Sequence, residues 1–93
     1  IHWTLASRFG FHDGSHAGIW ECPDLIEFGE QRWVLLVSID RNAVAGGSGT
    51  QYFVGKFDGF TFTNSNCPKK TLWIDFGPDY YAGITYANVP NYD

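Results

Sequence analysis

The longest apolar runs in the chain, residues 32–39 and 50–57, place apolar side chains on both faces of an extended backbone. In the first, Val34 and Leu36 alternate with Leu35 and Val37. In the second, Tyr52 and Val54 alternate with Phe53 and Phe57. A strand with one solvated face alternates between apolar and polar, so runs of this kind predict a sheet covered on both sides. Residues 20–28 read as a strand before them, residues 60–63 as a short strand after them, and residues 72–76 as extended. Residues 1–5 and 80–87 read as a first and a last strand. Turn residues punctuate the set: Gly29-Glu30-Gln31, a Gly/Asn-rich loop over 40–49, the hairpin signal Asp58-Gly59, a polar connection over 64–71, and Gly77-Pro78. Residues 7–18, rich in Gly, His and Ser, read as a loop. Long helical periodicity is absent. The pattern predicts an all-β, antiparallel chain.

Size limits what such a sheet can be. Ninety-three residues make one small domain at most, with a modest core. The net charge of −4, with no basic run beyond Lys69-Lys70, excludes nucleic acid as the expected partner. No apolar stretch approaches the ~20 residues of a membrane-spanning helix, so no membrane partner is expected. The opening Ile1-His2-Trp3 carries neither Met nor a signal peptide and reads as the start of a fragment or a processed chain. Cys22 and Cys67 are the only cysteines, and two free thiols are the favoured reading.

The chemistry concentrates in Trp20-Glu21-Cys22-Pro23-Asp24. Proline cannot donate to a strand ladder, so Pro23 predicts a sheet edge or a bulge. Such a strand would carry Glu21 into a dry pocket, where a carboxyl group is suited to general acid work near neutral pH. A second set, His12, His16 and Cys22 with His2 or Cys67, has the right atom types for zinc. It lacks ligand pairs at the usual spacing apart from His12/His16, so no metal is expected. Gly46-Gly47-Ser48-Gly49 lacks the Lys and helix of a phosphate loop.

Trp20-Glu21-Cys22-Pro23-Asp24 resembles the acid/base motif of the family 32 glycoside hydrolases: invertases, inulinases, levanases and fructan exohydrolases. The resemblance continues in order through residues 33–39, 46–55, Phe57-Asp58-Gly59 and 75–82, and so covers nearly the whole chain. It is strongest toward the microbial exo-inulinase and levanase branch. It implies one blade of a five-bladed β-propeller plus the inner strand of the next, with residues 1–93 forming part of a catalytic domain. A propeller needs at least about four blades of roughly 40–50 residues each, so a chain of this length holds one blade and part of another. The implied activity is retaining hydrolysis of β-fructofuranosidic bonds in fructans or sucrose, without cofactor, in a secreted or periplasmic enzyme. The family's nucleophile motif, Asn-Asp-Pro-Asn-Gly, and its Arg-Asp-Pro motif are both missing. The chain therefore reads as an internal piece of an enzyme, inactive alone, whose partners are the remaining blades or copies of itself. The alternative is a non-catalytic propeller-type module for carbohydrate binding or assembly.

The resemblance makes Glu21 the general acid/base. It makes Asp58, Asp79 and Tyr81 candidates for the substrate side. For Asp58 an ordinary Asp-Gly turn outweighs that role. Asp79 and Tyr81 open the next blade, and Tyr81 either bonds near the acid or is an aromatic satisfied locally. Trp20 and Cys22 are expected to pack around Glu21 and position it, and His16 to lie near the cleft entrance.

Overall fold

Strand β1 is Trp20–Glu27, β2 Trp33–Ile39, β3 Gly49–Phe57, β4 Phe62–Asn64 and β5 Leu72–Trp73. This computed structural model describes residues 1–90. The strands form one antiparallel sheet in the order β1-β2-β3-β4, with β5 also paired to β3. β4 takes the Phe57 end of β3, and β5 takes the Gln51–Tyr52 end. There is no helix among the described residues. The alternating apolar residues pair strand to strand, as the sequence predicts: Val34 lies opposite Val54, Leu35 opposite Phe53, and Leu36 opposite Tyr52. β1 forms the free edge beyond β2.

Alternation along the strands gives the sheet two distinct faces. The first carries the core: Val37, Phe53 and Phe62 are buried, with Trp20, Leu25, Leu35 and Phe9 packed against them. Phe9 reaches in from the N-terminal loop and meets Phe53 and Phe62 edge-on, at centroid distances of 5.2 and 4.9 Å. That loop is pinned by a buried amide. Gln51 is fully buried, and its Oε1 accepts the Ser15 N–H at 2.9 Å while its Nε2 donates to the Ser15 carbonyl at 3.0 Å. Gly14 passes so close that a Cβ there would lie 2.4 Å from Gln51 Oε1. A side chain at position 14 would displace the loop.

The second face is only half closed. Val34, Leu36, Tyr52 and Val54 are partly buried, and with Phe28, Arg32 and Ile74 they line an open groove of about 390 Å³. The other end of this face carries Ser38 and Thr50, and residues 79–85 run across it. This crossing corrects the sequence reading of residues 80–87 as a strand. The N–H groups of Ala82 and Thr85 go to side chains of the sheet, Ser38 and Asp24, and not to a neighbouring strand. Residues 1–5 are likewise not a strand; they are exposed and have no strand beside them. Elsewhere the boundaries move little, and the expected extended segment 72–76 contracts to Leu72–Trp73.

Candidate active site

The acid motif folds into an irregular edge strand. Glu21 pairs with Ser38, and the next regular pair is Asp24 with Leu36. β1 therefore advances three residues while β2 advances two, which is a β-bulge. Cys22 takes the extra step in a left-handed conformation, φ +50°. Pro23 follows it, where no ladder N–H is needed. The sequence reading offered an edge or a bulge, and the structure has both at once. A non-glycine residue held at positive φ costs roughly 1–2 kcal/mol, so the local backbone is strained next to Glu21.

Glu21 is exposed. In place of the dry pocket expected around it, the described residues give it only a small open concavity of about 180 Å³, shared with Phe9, Trp20, Pro23, Leu35 and Val37. What the chain does build is its support. Trp20 Nε1 donates to the Ser15 carbonyl at 2.7 Å, and the His16 ring stacks on Trp20 at 4.7 Å and 12°. His16 Nε2 lies 2.7 Å from the Gly10 carbonyl and 3.0 Å from that of Asp13. Both partners are acceptors, so Nε2 carries the proton. A Cβ on Gly10, whose φ is +98°, would fall 2.4 Å from the Trp20 ring. Loop 9–18 thus fixes the residue before Glu21, and His16 serves as a wall for Trp20. His12, His16 and Cys22 are not gathered into one site, and among the described residues no group of three potential ligands is. Cys22 and Cys67 are both free and exposed.

Asp79 and Tyr81 reach this end of the sheet through the crossing segment. Asp79 Oδ1 accepts from Ser48 N at 3.2 Å and from Ser48 Oγ at 3.1 Å. Tyr80 N donates to the Ser48 carbonyl at 3.3 Å. Further along, the Ala82 N–H donates to Ser38 Oγ at 3.0 Å. The Thr85 N–H and hydroxyl both donate to Asp24 Oδ2, at 3.1 and 2.9 Å. The segment is tied in turn to the approach of β3, to β2 and to β1. Gly47 permits the first contact, since a Cβ there would lie 2.0 Å from the Pro78 carbonyl oxygen. Ser38 is the shared neighbour: Glu21 is its register partner and Ala82 bonds its hydroxyl.

Asp58 lies elsewhere. It follows the far end of β3, eight residues beyond Thr50, or about 26 Å along the strand. Its Oδ1 accepts the N–H groups of Thr61 at 2.7 Å and Phe60 at 2.8 Å. Those two bonds, Thr61 first, hold its carboxyl below the usual carboxylate range. Asp58 is a turn residue in this chain, and the structure does not bring it together with Glu21.

Three further residues of this site fall within the family-like stretches 33–39 and 46–55, where the motifs assign them no chemistry. Ser38, Thr50 and Gln51 are polar positions inside apolar strands, and all three are buried. A polar residue in a two-faced apolar run signals a specific buried partner, and that signal is present in the sequence.

The site is thus a bulged edge strand of an antiparallel sheet that presents an exposed glutamate. The family model "Glycosyl hydrolases family 32 N-terminal domain" matches residues 1–92. The chain belongs to that family, and its sheet is one blade of the family's β-propeller. It is 50% identical to the levanase of Bacillus subtilis (strain 168) over 97 residues, covering 98% of this chain and 14% of that protein. It is 40% identical to the extracellular exo-inulinase of Aspergillus awamori, covering 90% of this chain and 18% of that protein. The crystal structure of that exo-inulinase superposes with a TM-score of 0.71 at 38% identity, over 86% of this chain and 18% of that one. The fructofuranosidase of Schwanniomyces occidentalis, complexed with fructose, superposes with a TM-score of 0.73 at 36% identity, over 87% of this chain and 16% of that one. The chain therefore spans less than a fifth of the relatives it matches.

Proposed function

We propose that residues 1–93 are part of the catalytic propeller of a secreted, retaining β-fructosidase, and that Glu21 is its general acid/base. Residues 91–93 lie outside the described residues. The observation that carries the reading is the bulge at Glu21: a strained, proline-terminated step at a free sheet edge presents a glutamate whose neighbours Trp20 and Ser38 are both fixed. In the first half of the reaction Glu21 donates its proton to the glycosidic oxygen as the bond to the fructosyl carbon breaks. A carboxylate nucleophile forms the covalent fructosyl intermediate on the opposite side. Glu21, now a carboxylate, then takes a proton from the water that releases fructose. The nucleophile must stand roughly 5–5.5 Å from Glu21. Neither Asn-Asp-Pro nor Arg-Asp-Pro occurs in this sequence, so in this reading the nucleophile and the walls that dry the site come from outside these 93 residues.

Substrate class follows from the relatives' names, levanase and extracellular exo-inulinase, which point to fructans outside the cell. Sucrose contains the same type of bond. In this reading Asp79 and Tyr81 belong to the substrate side, supported by the bonds that tie their segment to Ser48 and to Ser38, the register partner of Glu21. Asp58 belongs to the turn at the other end of the blade. The experiment is Glu21→Gln in the full-length protein. Turnover of sucrose or fructan is expected to fall by about 10²–10⁴-fold, with substrate binding little changed. Turnover near the wild-type rate would remove Glu21 as the acid.

A further inference from the structure

The two peptide groups that flank Tyr81 are each held by a side chain of the sheet. The Thr50 hydroxyl donates to the Tyr80 carbonyl at 3.4 Å, and the Ala82 N–H donates to Ser38 Oγ at 3.0 Å. The two hydroxyl oxygens lie 3.1 Å apart. One arrangement of protons satisfies every bond: Ala82 N–H to Ser38, Ser38 O–H to Thr50, Thr50 O–H to the Tyr80 carbonyl. Each hydroxyl then donates once and accepts once. Both side chains are 1% exposed, so removing either partner leaves a buried polar group unsatisfied. The next positions on the same face, Leu36 and Tyr52, form the apolar groove, so the sheet itself does not call for hydroxyls here. Ala82 has φ +54°, a conformation alanine does not adopt unaided, and its N–H bond to Ser38 is one contact that holds it.

We propose that Ser38 and Thr50 form a hydroxyl clamp that fixes the backbone on both sides of Tyr81, and that the two are positioning residues for the reaction at Glu21. The inference rests on the assignment of Glu21 as acid/base. Tyr81 is 43% exposed, so packing within this chain does not set its direction. The clamp does so through the backbone. Because Ser38 is also the register partner of Glu21, one residue sets both the acid strand and the Tyr81 segment against each other.

The test uses the full-length protein. Thr50→Val keeps the shape and removes the hydroxyl, Thr50→Ser keeps the hydroxyl, and Ser38→Ala breaks the clamp from the other side. Thr50→Val and Ser38→Ala are expected to lower kcat by about 10–100-fold, since small misplacements at a reacting centre are costly. KM should stay within about threefold, and Thr50→Ser should restore most of kcat. In a Tyr81→Ala background, Thr50→Val should add less than about twofold, because the clamp acts through Tyr81. Wild-type kcat in Thr50→Val, an equal loss in Thr50→Ser, or a fully additive loss in the Tyr81→Ala background overturns the clamp. Glu21→Gln, measured alongside, separates the two ideas. If it retains turnover, the acid assignment fails by itself, and the clamp is judged by hydrogen exchange of residues 79–85. Exchange should quicken in Thr50→Val and stay slow in Thr50→Ser, and unchanged exchange in Thr50→Val overturns it.

Discussion

Cys22 shows how much one residue decides here. At φ +50° it supplies the extra step of the bulge that turns β1 after Glu21. Glycine meets that φ without strain, whereas a β-branched side chain meets it worst. Cys22→Gly is therefore expected to change stability by less than about 1 kcal/mol, and Cys22→Val to lower it by about 1–2 kcal/mol or more. Denaturant midpoints of the full-length variants check this, and equal stability of the two would show that the bulge is not strained at Cys22. Asp58 gives a pH-dependent effect at the same scale. Its folded carboxyl is held below the ordinary 3.8 by the Thr61 and Phe60 amides. The turn's stabilisation is thus complete above pH 3.8 and is lost as pH falls through the lower folded value. The melting temperature of wild type should exceed that of Asp58→Asn at pH 6, and the gap should close on acidification below that point. A gap that widens in acid would reverse the sign. Proline chemistry made the bulge readable in the sequence. The exposure of Glu21 was not readable, because the apolar and polar pattern of an edge strand does not say whether residues distant in sequence close over it.

Among the elements, β2 and β3 were legible because their two-faced apolar runs leave no other reading. β4 and β5 are short, and pattern alone placed them only to within a few residues. The segment after Asp79 was misread as a strand. Tyr80, Ile84 and Tyr86 look strand-like, but strand formation needs a partner ladder, and here the partners are hydroxyls and a carboxylate. Hydrogen bonds from side chain to backbone are not written into apolar periodicity. Gly47 is the position where that segment comes closest to the loop before β3. Gly47→Ala places a methyl 2.0 Å from the Pro78 carbonyl oxygen and must push the segment away. The expected result is a fall in kcat with the β1–β3 sheet retained, read as faster hydrogen exchange confined to residues 78–85. Unchanged exchange there would show that the segment tolerates displacement.

The whole chain has more surface than its mass calls for. A closed monomer of 10.5 kDa exposes about 5,400 Å² and has a radius of gyration near 12 Å. This chain exposes 7109 Å² and has a radius of 14.0 Å. The excess includes the groove beside Val34, Leu36, Tyr52 and Val54, which neighbouring blades of a propeller would cover. Burying apolar surface contributes roughly 25 cal/mol per Å², so a few hundred Å² favour association by several kcal/mol. The isolated chain is expected to self-associate, and to release no fructose from sucrose, inulin or levan, because an acid without its partner carboxylate forms no glycosyl intermediate. Sedimentation and a fructose assay check the two statements. A cooperatively unfolding monomer would contradict the open-blade account, and turnover abolished by Glu21→Gln would contradict the need for an outside nucleophile.

The most direct measurement of the central claim compares two leaving groups in the full-length protein. If Glu21 protonates the departing oxygen, Glu21→Gln should slow sucrose by about 10²–10⁴-fold. It should slow the fructosylation step far less for a fructoside whose leaving group departs without a proton. An equal loss on both substrates, or wild-type kcat on sucrose, would show that the glutamate at the bulge is not the acid.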